Sequence, residues 1–322
     1  MPVVTYSPSY TLVPTYECFN RCSYCNFRVD PGQGQELSLG AARDRLAGLK
    51  GVCEILILSG EVHPQSQERS SWLERLWQLG RLALDLGFLP HTNAGPLSYR
   101  EMARLREVNV SMGLMLEQLT PKLLETVHRY APSKRPEVRC QQLIWAGELG
   151  IPFTTGLLLG IGETSQDWRE SLEAIAIIQQ RYGHIQEVIL QPYSPGTKEL
   201  VPQNQFLDLV PVVALARQIL PPEVVIQIPP NLAKGQIRAC VEAGARDLGG
   251  LSPIDEVNPD YSHPHQEALQ KELGGWQLQP RLPVYPQYDR WLPSDLQRAV
   301  KGWREWLLDQ CQPRIDRVTE QI

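Results

Sequence analysis

The stretch "YTLVPTYECFNRCSYCNF", residues 10–27, sets a short apolar run directly before three cysteines, Cys18, Cys22 and Cys25. The run "YTLVPT" (10–15) reads as a β-strand, and the cysteines follow it at C-x3-C-x2-C spacing. A strand followed by a longer amphipathic segment then repeats along the chain. "CEILILSG" (53–60) is continuously apolar and bounded by glycine, as expected for a strand covered on both faces. Further strands are expected at "GFLPHT" (87–92), "NVSMGLML" (109–116), "PFTTGLLLG" (152–160), "EVILQPY" (187–193), "VVIQIP" (224–229) and "ARDLGG" (245–250). Helical periodicity fills the intervals, as in "WLERLWQLGRLALDLG" (72–87), "DWRESLEAIAIIQQRYG" (167–183) and "FLDLVPVVALARQIL" (206–220). Several of these segments end in glycine, a helix stop. Eight strands alternating with helices imply an α/β fold, a (βα)8 TIM-type barrel.

The pattern changes after residue 252. "SPIDEVNPDYSHPHQ" (252–266) is loop-like, and five of the chain's 27 prolines lie between Pro280 and Pro313. A helix is expected at 294–310. The chain is therefore divided into a barrel, 1–252, and a C-terminal extension, 253–322, packed on it.

Bulk properties narrow the setting. The 322 residues are 42% hydrophobic, enough for a sizeable core. A net charge of -5 and a pI near 5.8 offer no global basic surface, and the basic run "RYAPSKRPEVR" (129–139) is local, so nucleic acid is not an expected partner. No apolar run reaches the ~20 residues of a membrane span, and the N-terminus lacks the pattern of an export signal. Cys53, Cys140, Cys240 and Cys311 are scattered, and seven cysteines is an odd number. Reduced thiols in a cytoplasmic protein fit this usage better than disulfides.

The three clustered cysteines follow the first strand, which places them at the C-terminal face of a barrel, where active sites sit. A 4Fe-4S cluster bound by three thiolates leaves one iron without a protein ligand and open to a small molecule. Two alternatives stand beside this: a zinc site with His63 or His91 as a remote fourth ligand, giving a non-catalytic metal scaffold, and buried unreactive thiols.

C-x3-C-x2-C with the aromatic Tyr24 before its last cysteine, placed after a first barrel strand, resembles the radical S-adenosylmethionine (SAM) superfamily. The longer strings "TYSPSYTLVPTYECFNRCSYCNF", "LPHTNAG", "SMGLMLE", "IPFTTGLLLGIGET", "IPPNL" and "DLGGLSPIDEVNP" resemble the CofG-type family of 7,8-didemethyl-8-hydroxy-5-deazariboflavin (FO) synthases. The resemblance implies a 4Fe-4S cluster on Cys18, Cys22 and Cys25, with SAM as cosubstrate and hydrogen abstraction from a small-molecule substrate. That substrate is the adduct of 4-hydroxybenzyl and 5-amino-6-ribitylamino-uracil, which closes to FO with loss of ammonia. A separate CofH-type partner enzyme makes the adduct, and an electron donor such as ferredoxin or flavodoxin reduces the cluster. The alternative within the superfamily is the CofH-type reaction itself.

For SAM, the resemblance points to Tyr24 beside the cluster and to Gly60 and Glu61 of "LSGE", where Ser59 departs from the usual glycine. It also points to Glu117 for the ribose hydroxyls, Arg139 for the methionine carboxylate, and Gly160 and Gly162 against adenine. As ordinary residues, Glu117 is a helix-start carboxylate and Arg139 a surface arginine near Lys134 and Arg135. Polar groups at strand ends supply the expected substrate contacts: Asn93, Thr155, Gln191 and Asn231. His91 and Asp247 are the candidate bases for ring closure.

Overall fold

A computed structural model describes residues 1–197 and 207–311. Eight parallel strands close into a barrel: β1 (Val3–Leu12), β2 (Glu54–Leu58), β3 (Leu89–Asn93), β4 (Ser111–Gly113), β5 (Phe153–Leu159), β6 (Ile185–Pro192), β7 (Val225–Gln227) and β8 (Asp247–Leu251). Each pairs with the next, and β8 returns to β1. Helices α1 (Leu39–Ala47), α2 (Arg69–Asp85), α3 (Tyr99–Arg106), α4 (Pro136–Glu148), α5 (Ser165–Tyr182), α6 (Val210–Ile219) and α7 (Ile237–Ala243) connect successive strands. The expected (βα)8 barrel is the architecture found. Phe206, the first residue of one expected helix, and residues 312–322 lie outside the described residues.

Strand positions follow the physics of burial. All seven residues of β5 are buried, Thr154 and Thr155 included, as expected for a strand covered on both faces. β4 is much shorter than the apolar run over 109–116. Leu114 N still donates to Thr154 O at 3.0 Å, but Leu116 N turns to the Thr155 hydroxyl at 3.2 Å, and Glu117 adopts a left-handed φ of 66°. The chain thus leaves the regular ladder after Leu114 and rejoins it at Glu117, whose N donates to Gly156 O at 3.1 Å, so that the carboxylate is delivered to the rim on a fixed backbone.

β1 begins seven residues before its expected start at Tyr10. It hides behind Ser7, Pro8 and Ser9, two buried serines and a residue without an N–H. Tyr6 pairs with one neighbouring strand and Ser9 with another, so Pro8 sits where the partner changes and a missing donor costs least.

That other partner is β9 (Gln277–Pro280), a strand in the extension that the sequence does not announce. It runs parallel to Val3–Tyr6, and Arg281 N donates to Tyr6 O at 2.7 Å. Beyond it, Leu282, Val284, Tyr288, Leu296 and Val300 pack on Cys53, Leu89 and Val110 at the N-terminal ends of β2, β3 and β4. The last two of these extension residues lie on helix α9 (Ser294–Cys311). A further helix, α8 (Gln266–Leu273), leads into β9.

The extension also sends one side chain into the barrel. Arg281 reaches Asp247 through Nε at 2.6 Å and Nη2 at 2.7 Å, and Glu187 through Nη2 at 2.8 Å. The Pro283 carbonyl accepts from Ser111 Oγ at 2.7 Å and Gln186 Nε2 at 2.9 Å. The barrel floor is therefore an ion-paired plug. Truncating Arg281 strands two carboxylates in a dry interior. Arg281→Ala should lose about 3–5 kcal/mol of stability in denaturant unfolding. A loss below 1 kcal/mol would show that the plug does not hold the floor.

Candidate active site

The segment after β1 carries the three cysteines and is fastened at several points. Phe19 N donates to Glu61 O at 3.0 Å, Arg21 N to Tyr130 O at 2.8 Å, and Ser23 N to Val127 O at 3.1 Å. Cys18 N bonds to Val29 O and Cys25 N to Cys22 O, both at 3.2 Å. Gly60, at the end of β2, packs so closely on the stem of this loop that a Cβ would lie 2.0 Å from Glu17 O. Glycine is thus required there by the approach of two backbones. Ser59, the departure from the Gly-Gly-Glu pattern, accepts from Trp72 Nε1 at 2.9 Å and so locks β2 to α2.

Glu61 and Arg139 form the centre of the rim. Arg139 Nη2 donates to Glu61 Oε1 at 2.8 Å, while Nε reaches Ser133 O at 2.9 Å and Nη1 reaches Met115 O at 3.3 Å. Asn20, inside the cysteine loop, donates to Glu61 Oε2 and to Ser133 Oγ, each at 2.8 Å. Ser133 completes the knot by donating to Glu61 Oε2. Burial alone pushes the Glu61 carboxyl up, but Arg139, Lys134 and the Ser133 hydroxyl outweigh it and hold it below its ordinary value. Arg139 is only 1% exposed, so it is not a surface arginine. Beside this pair, Lys134 Nζ donates to Glu117 Oε1 within the same cavity. Tyr24 Oη lies 2.9 Å from His128 Nε2.

All three cysteines line an outer cavity of about 250 Å³ together with Tyr24, Gly60, Glu61, Glu117, Lys134 and Arg139. Burial pushes the Cys22 thiol up to about 12 and raises Cys18. Thiolates there need a cation to form. Among the described residues no three His, Cys, Asp or Glu side chains converge as a single ion requires. Neither His63 nor His91 lines this cavity. Three thiols around one shared space, with no fourth ligand gathered, fit an iron–sulfur cluster with an open iron better than zinc.

A second cavity of about 180 Å³ continues toward the barrel floor. Asn93, Met115, Ile189, Gln191, Val257 and Asn258 line both. Asn231 and His91 line the deep one. Asn231 Nδ2 donates to Asp255 Oδ2 at 2.8 Å and to Tyr261 O at 2.9 Å, while its Oδ1 is buried without a partner.

The structure places four expected residues elsewhere. Thr155 lines neither cavity, because its hydroxyl is spent on Leu116 N; Thr154, one residue earlier, faces the deep cavity instead. Gly160 and Gly162 adopt positive φ in a turn after β5, and the Gly160 and Ile161 amides are taken by Glu163 at 2.5 and 2.8 Å. Asp247 lines neither cavity and is fully buried, accepting from Arg281, from Gly249 N at 2.6 Å and from the Thr5 hydroxyl. Burial alone would raise its carboxyl, but Arg281 outweighs that and holds it below its ordinary value. A carboxylate so committed is badly placed to act as a base. His91 does reach the cavity, with Nδ1 at 2.7 Å from Ser111 Oγ. The residues that sequence reasoning passed over are Asn20, Ser133, His128, Glu54, Glu187 and Arg281.

Two outcomes follow from this geometry. Arg139→Ala leaves Glu61 buried without its partner and should cost about 3–5 kcal/mol in unfolding experiments. Arg135→Ala, at an exposed position, should stay within ~0.5 kcal/mol. Equal effects would contradict the rim assignment. The second outcome concerns pH. Burial, the main cause, holds His91 at about 3 and His128 at about 4, below the ordinary 6.5. Between these values the unfolded chain binds protons that the folded chain refuses. Stability is therefore complete above pH 6.5 and falls on acidification, by ~1.4 kcal/mol per pH unit for each histidine. His128→Gln should remove one such share; an unchanged slope would refute it.

Comparison with known proteins agrees with this geometry. The model of the radical SAM superfamily matches residues 12–175. A 7,8-didemethyl-8-hydroxy-5-deazariboflavin synthase of Trichormus variabilis is 64% identical over 314 residues, covering 95% of this chain and 92% of that protein. The protein of the same name from Gloeobacter violaceus is 56% identical, covering 97% and 98%. Among solved structures, the FeFe-hydrogenase maturase HydG from Carboxydothermus hydrogenoformans superposes with a TM-score of 0.71 at 19% identity, over 96% of this chain and 78% of that one. Methylornithine synthase (PylB) gives 0.65 at 15% identity, over 87% and 84%. These two likenesses speak for the fold alone. With three thiols at the C-terminal face of a parallel barrel, a matching family model and full-length relatives, the chain belongs to the radical SAM superfamily.

Proposed function

We propose that the chain performs the CofG-type half of FO synthesis. It takes the 5-amino-5-(4-hydroxybenzyl)-6-(D-ribitylimino)-5,6-dihydrouracil adduct and releases FO and ammonia, acting as a carbon–nitrogen lyase in deazaflavin biosynthesis. The observation that carries this reading is the two-part cavity. The outer part holds the three thiols, and the deep part is a polar chamber continuous with it. The names of the full-length relatives support the choice of product.

In this reading Cys18, Cys22 and Cys25 hold a 4Fe-4S cluster, and SAM binds beside it. Together, when bound, the cluster and SAM supply one-electron, hydrogen-abstracting chemistry. The chain's own residues position and shield. Arg139 has five N–H donors, of which four are already given to Ser133, Met115 and Glu61. Its main task is therefore to fix the rim, and Lys134 is the better-placed cation for a carboxylate. Glu117, presented on its left-handed turn, accepts from hydroxyls. Tyr24 closes the cluster side and is tethered by His128. Apolar Leu114, Met115, Leu158 and Ile189 line the outer part and exclude water from the reacting carbons. Asn93 and Gln191, at the junction, suit a pyrimidine edge. Of the two candidate bases, His91 is the one that reaches substrate, as a neutral ring at physiological pH. A separate CofH-type enzyme, a ferredoxin or flavodoxin donor and a cytosolic setting that keeps the thiols reduced belong to the same proposal. Among the described residues no helix is long and apolar enough to cross a membrane.

The test is anaerobic incubation with SAM, reductant and the adduct, with FO detected by fluorescence and mass. FO should form from the adduct and not from tyrosine with 5-amino-6-ribitylamino-uracil. Adduct formation from those two precursors would reassign the chain to the CofH-type reaction. Alanine at Cys18, Cys22 or Cys25 should abolish iron loading and FO formation together. Alanine at Cys140, half-buried and outside both cavities, should leave about four irons per chain. Loss of iron in the Cys140 variant with retention in the Cys22 variant would overturn the ligand assignment.

A further inference from the structure

Among the described residues, the deep cavity holds two acceptors, one without any partner in the protein and one, a carboxyl, without an ion pair. The first is Asn231 Oδ1. Its amide is oriented by Asp255 and Tyr261, the residue is 1% exposed, and the oxygen has no partner. The second is Glu54, the first residue of β2, which is 7% exposed and lines the same cavity. Two other carboxylates sit nearby, and Arg281 takes both: Asp247 through two bonds and Glu187 through one. Among the described residues no ion pair is formed by Glu54. Burial pushes its carboxyl up, and the charge of Arg281 and a hydrogen bond from the Ser7 hydroxyl only partly offset this.

A buried amide oxygen without a donor, and a buried carboxyl with about four lone-pair sites served by one hydroxyl and no ion pair, are costly unless something supplies further hydrogen bonds. An anion is unsuited to a chamber already rich in carboxylates. A cation is met by Arg281. A neutral chain of hydroxyl groups is the chemistry that suits it, because each hydroxyl donates to one acceptor and still accepts from a neighbour. The chamber also lies away from the thiols, beyond the junction at Asn93 and Gln191, so its occupant is the unreactive end of the substrate.

We propose that the deep cavity is a polyol subsite, in which Glu54 and Asn231 Oδ1 receive the hydroxyls of the substrate's ribityl arm. This rests on the reading of the substrate as a ribityl-bearing adduct and deepens it. Glu54 becomes a specificity-determining residue. Arg281, brought in by the extension, is a positioning residue that ties up Asp247 and Glu187 and leaves Glu54 for the ligand. Remote contacts of this kind orient the reacting end against the outer cavity.

The experiment is a cycle of two proteins and two ligands, measured by anaerobic calorimetric titration of the reconstituted holoprotein with SAM present. The ligands are the ribityl adduct and its counterpart carrying methyl in place of ribityl. The proteins are wild type and Glu54→Gln, with Glu54→Asp as a second variant that keeps the carboxyl but withdraws it by one methylene. Wild type should bind the ribityl compound at least about tenfold more tightly than the methyl compound. Glu54→Gln should lose about tenfold on the ribityl compound and nothing on the methyl compound, and Glu54→Asp should lose an intermediate factor. An equal loss on both ligands, or no loss on either, overturns the subsite. FO formation is scored separately. Coupled binding without FO would sink the proposed reaction and keep the subsite, whereas FO formation without coupling would do the reverse. Failure of both ligands to bind overturns both.

Discussion

The active site depends on one buried ion pair, Glu61 with Arg139. Glu61 ends the turn after β2, Arg139 lies in the first turns of α4, and Asn20 of the cysteine loop donates to the same carboxylate. Three segments distant in sequence thus share one carboxylate at the C-terminal rim. A pair so buried contributes little net stability against an apolar replacement. It contributes position: the cysteine loop has no regular secondary structure, and its place above the barrel is set by this knot and by backbone bonds to Glu61, Val127 and Tyr130. The thiols of such a loop stand in a fixed relation to Glu117 and Lys134 because the same rim holds all of them.

The opposite face is organised by the second buried ionic cluster. Arg281 enters the barrel from below with Asp247 and Glu187, and Tyr285 adds its hydroxyl to Glu187 at 3.2 Å. The extension is thus part of the barrel's chemistry as well as its floor. It seals the N-terminal end with Leu282, Val284 and Tyr288, and it sets which acidic groups of the deep chamber remain open. The two ionic centres divide the work: the rim holds the reactive groups, and the floor shapes the pocket for the far end of a ligand.

Much of this was legible in the sequence, for physical reasons that can be named. Strands covered on both faces carry apolar runs, which is why β2, β5 and β6 could be read directly from "ILIL" (55–58), "LLL" (157–159) and "VIL" (188–190). The cysteine spacing announced its chemistry because three thiolates so close have few other uses. β1 was read only in its last three residues, 10–12, since the stretch before them carries the buried serines Ser7 and Ser9 around Pro8. β9 was missed because a short polar strand, Gln277–Pro280, has no pattern of its own and exists only through its pairing with β1. Thr155 was preferred to Thr154 by one residue, and in a strand one residue reverses the face. Asp247 looked like a base from its place beside a strand end. What occupies it is Arg281, 34 residues later in a proline-rich tail, and no local signal joins the two.

The central claim is that the adduct occupies the cavity with its reacting carbon beside the SAM bound over Cys18, Cys22 and Cys25. Isotope transfer tests this most directly. The adduct is labelled with deuterium on its 4-hydroxybenzyl and ribityl-bearing portions in turn, and 5'-deoxyadenosine from anaerobic turnover is analysed by mass. The account predicts deuterium in the deoxyadenosine from a label on the reacting end and none from a label on the ribityl arm. Unlabelled deoxyadenosine in both cases, formed by a protein with its full iron content, would contradict it.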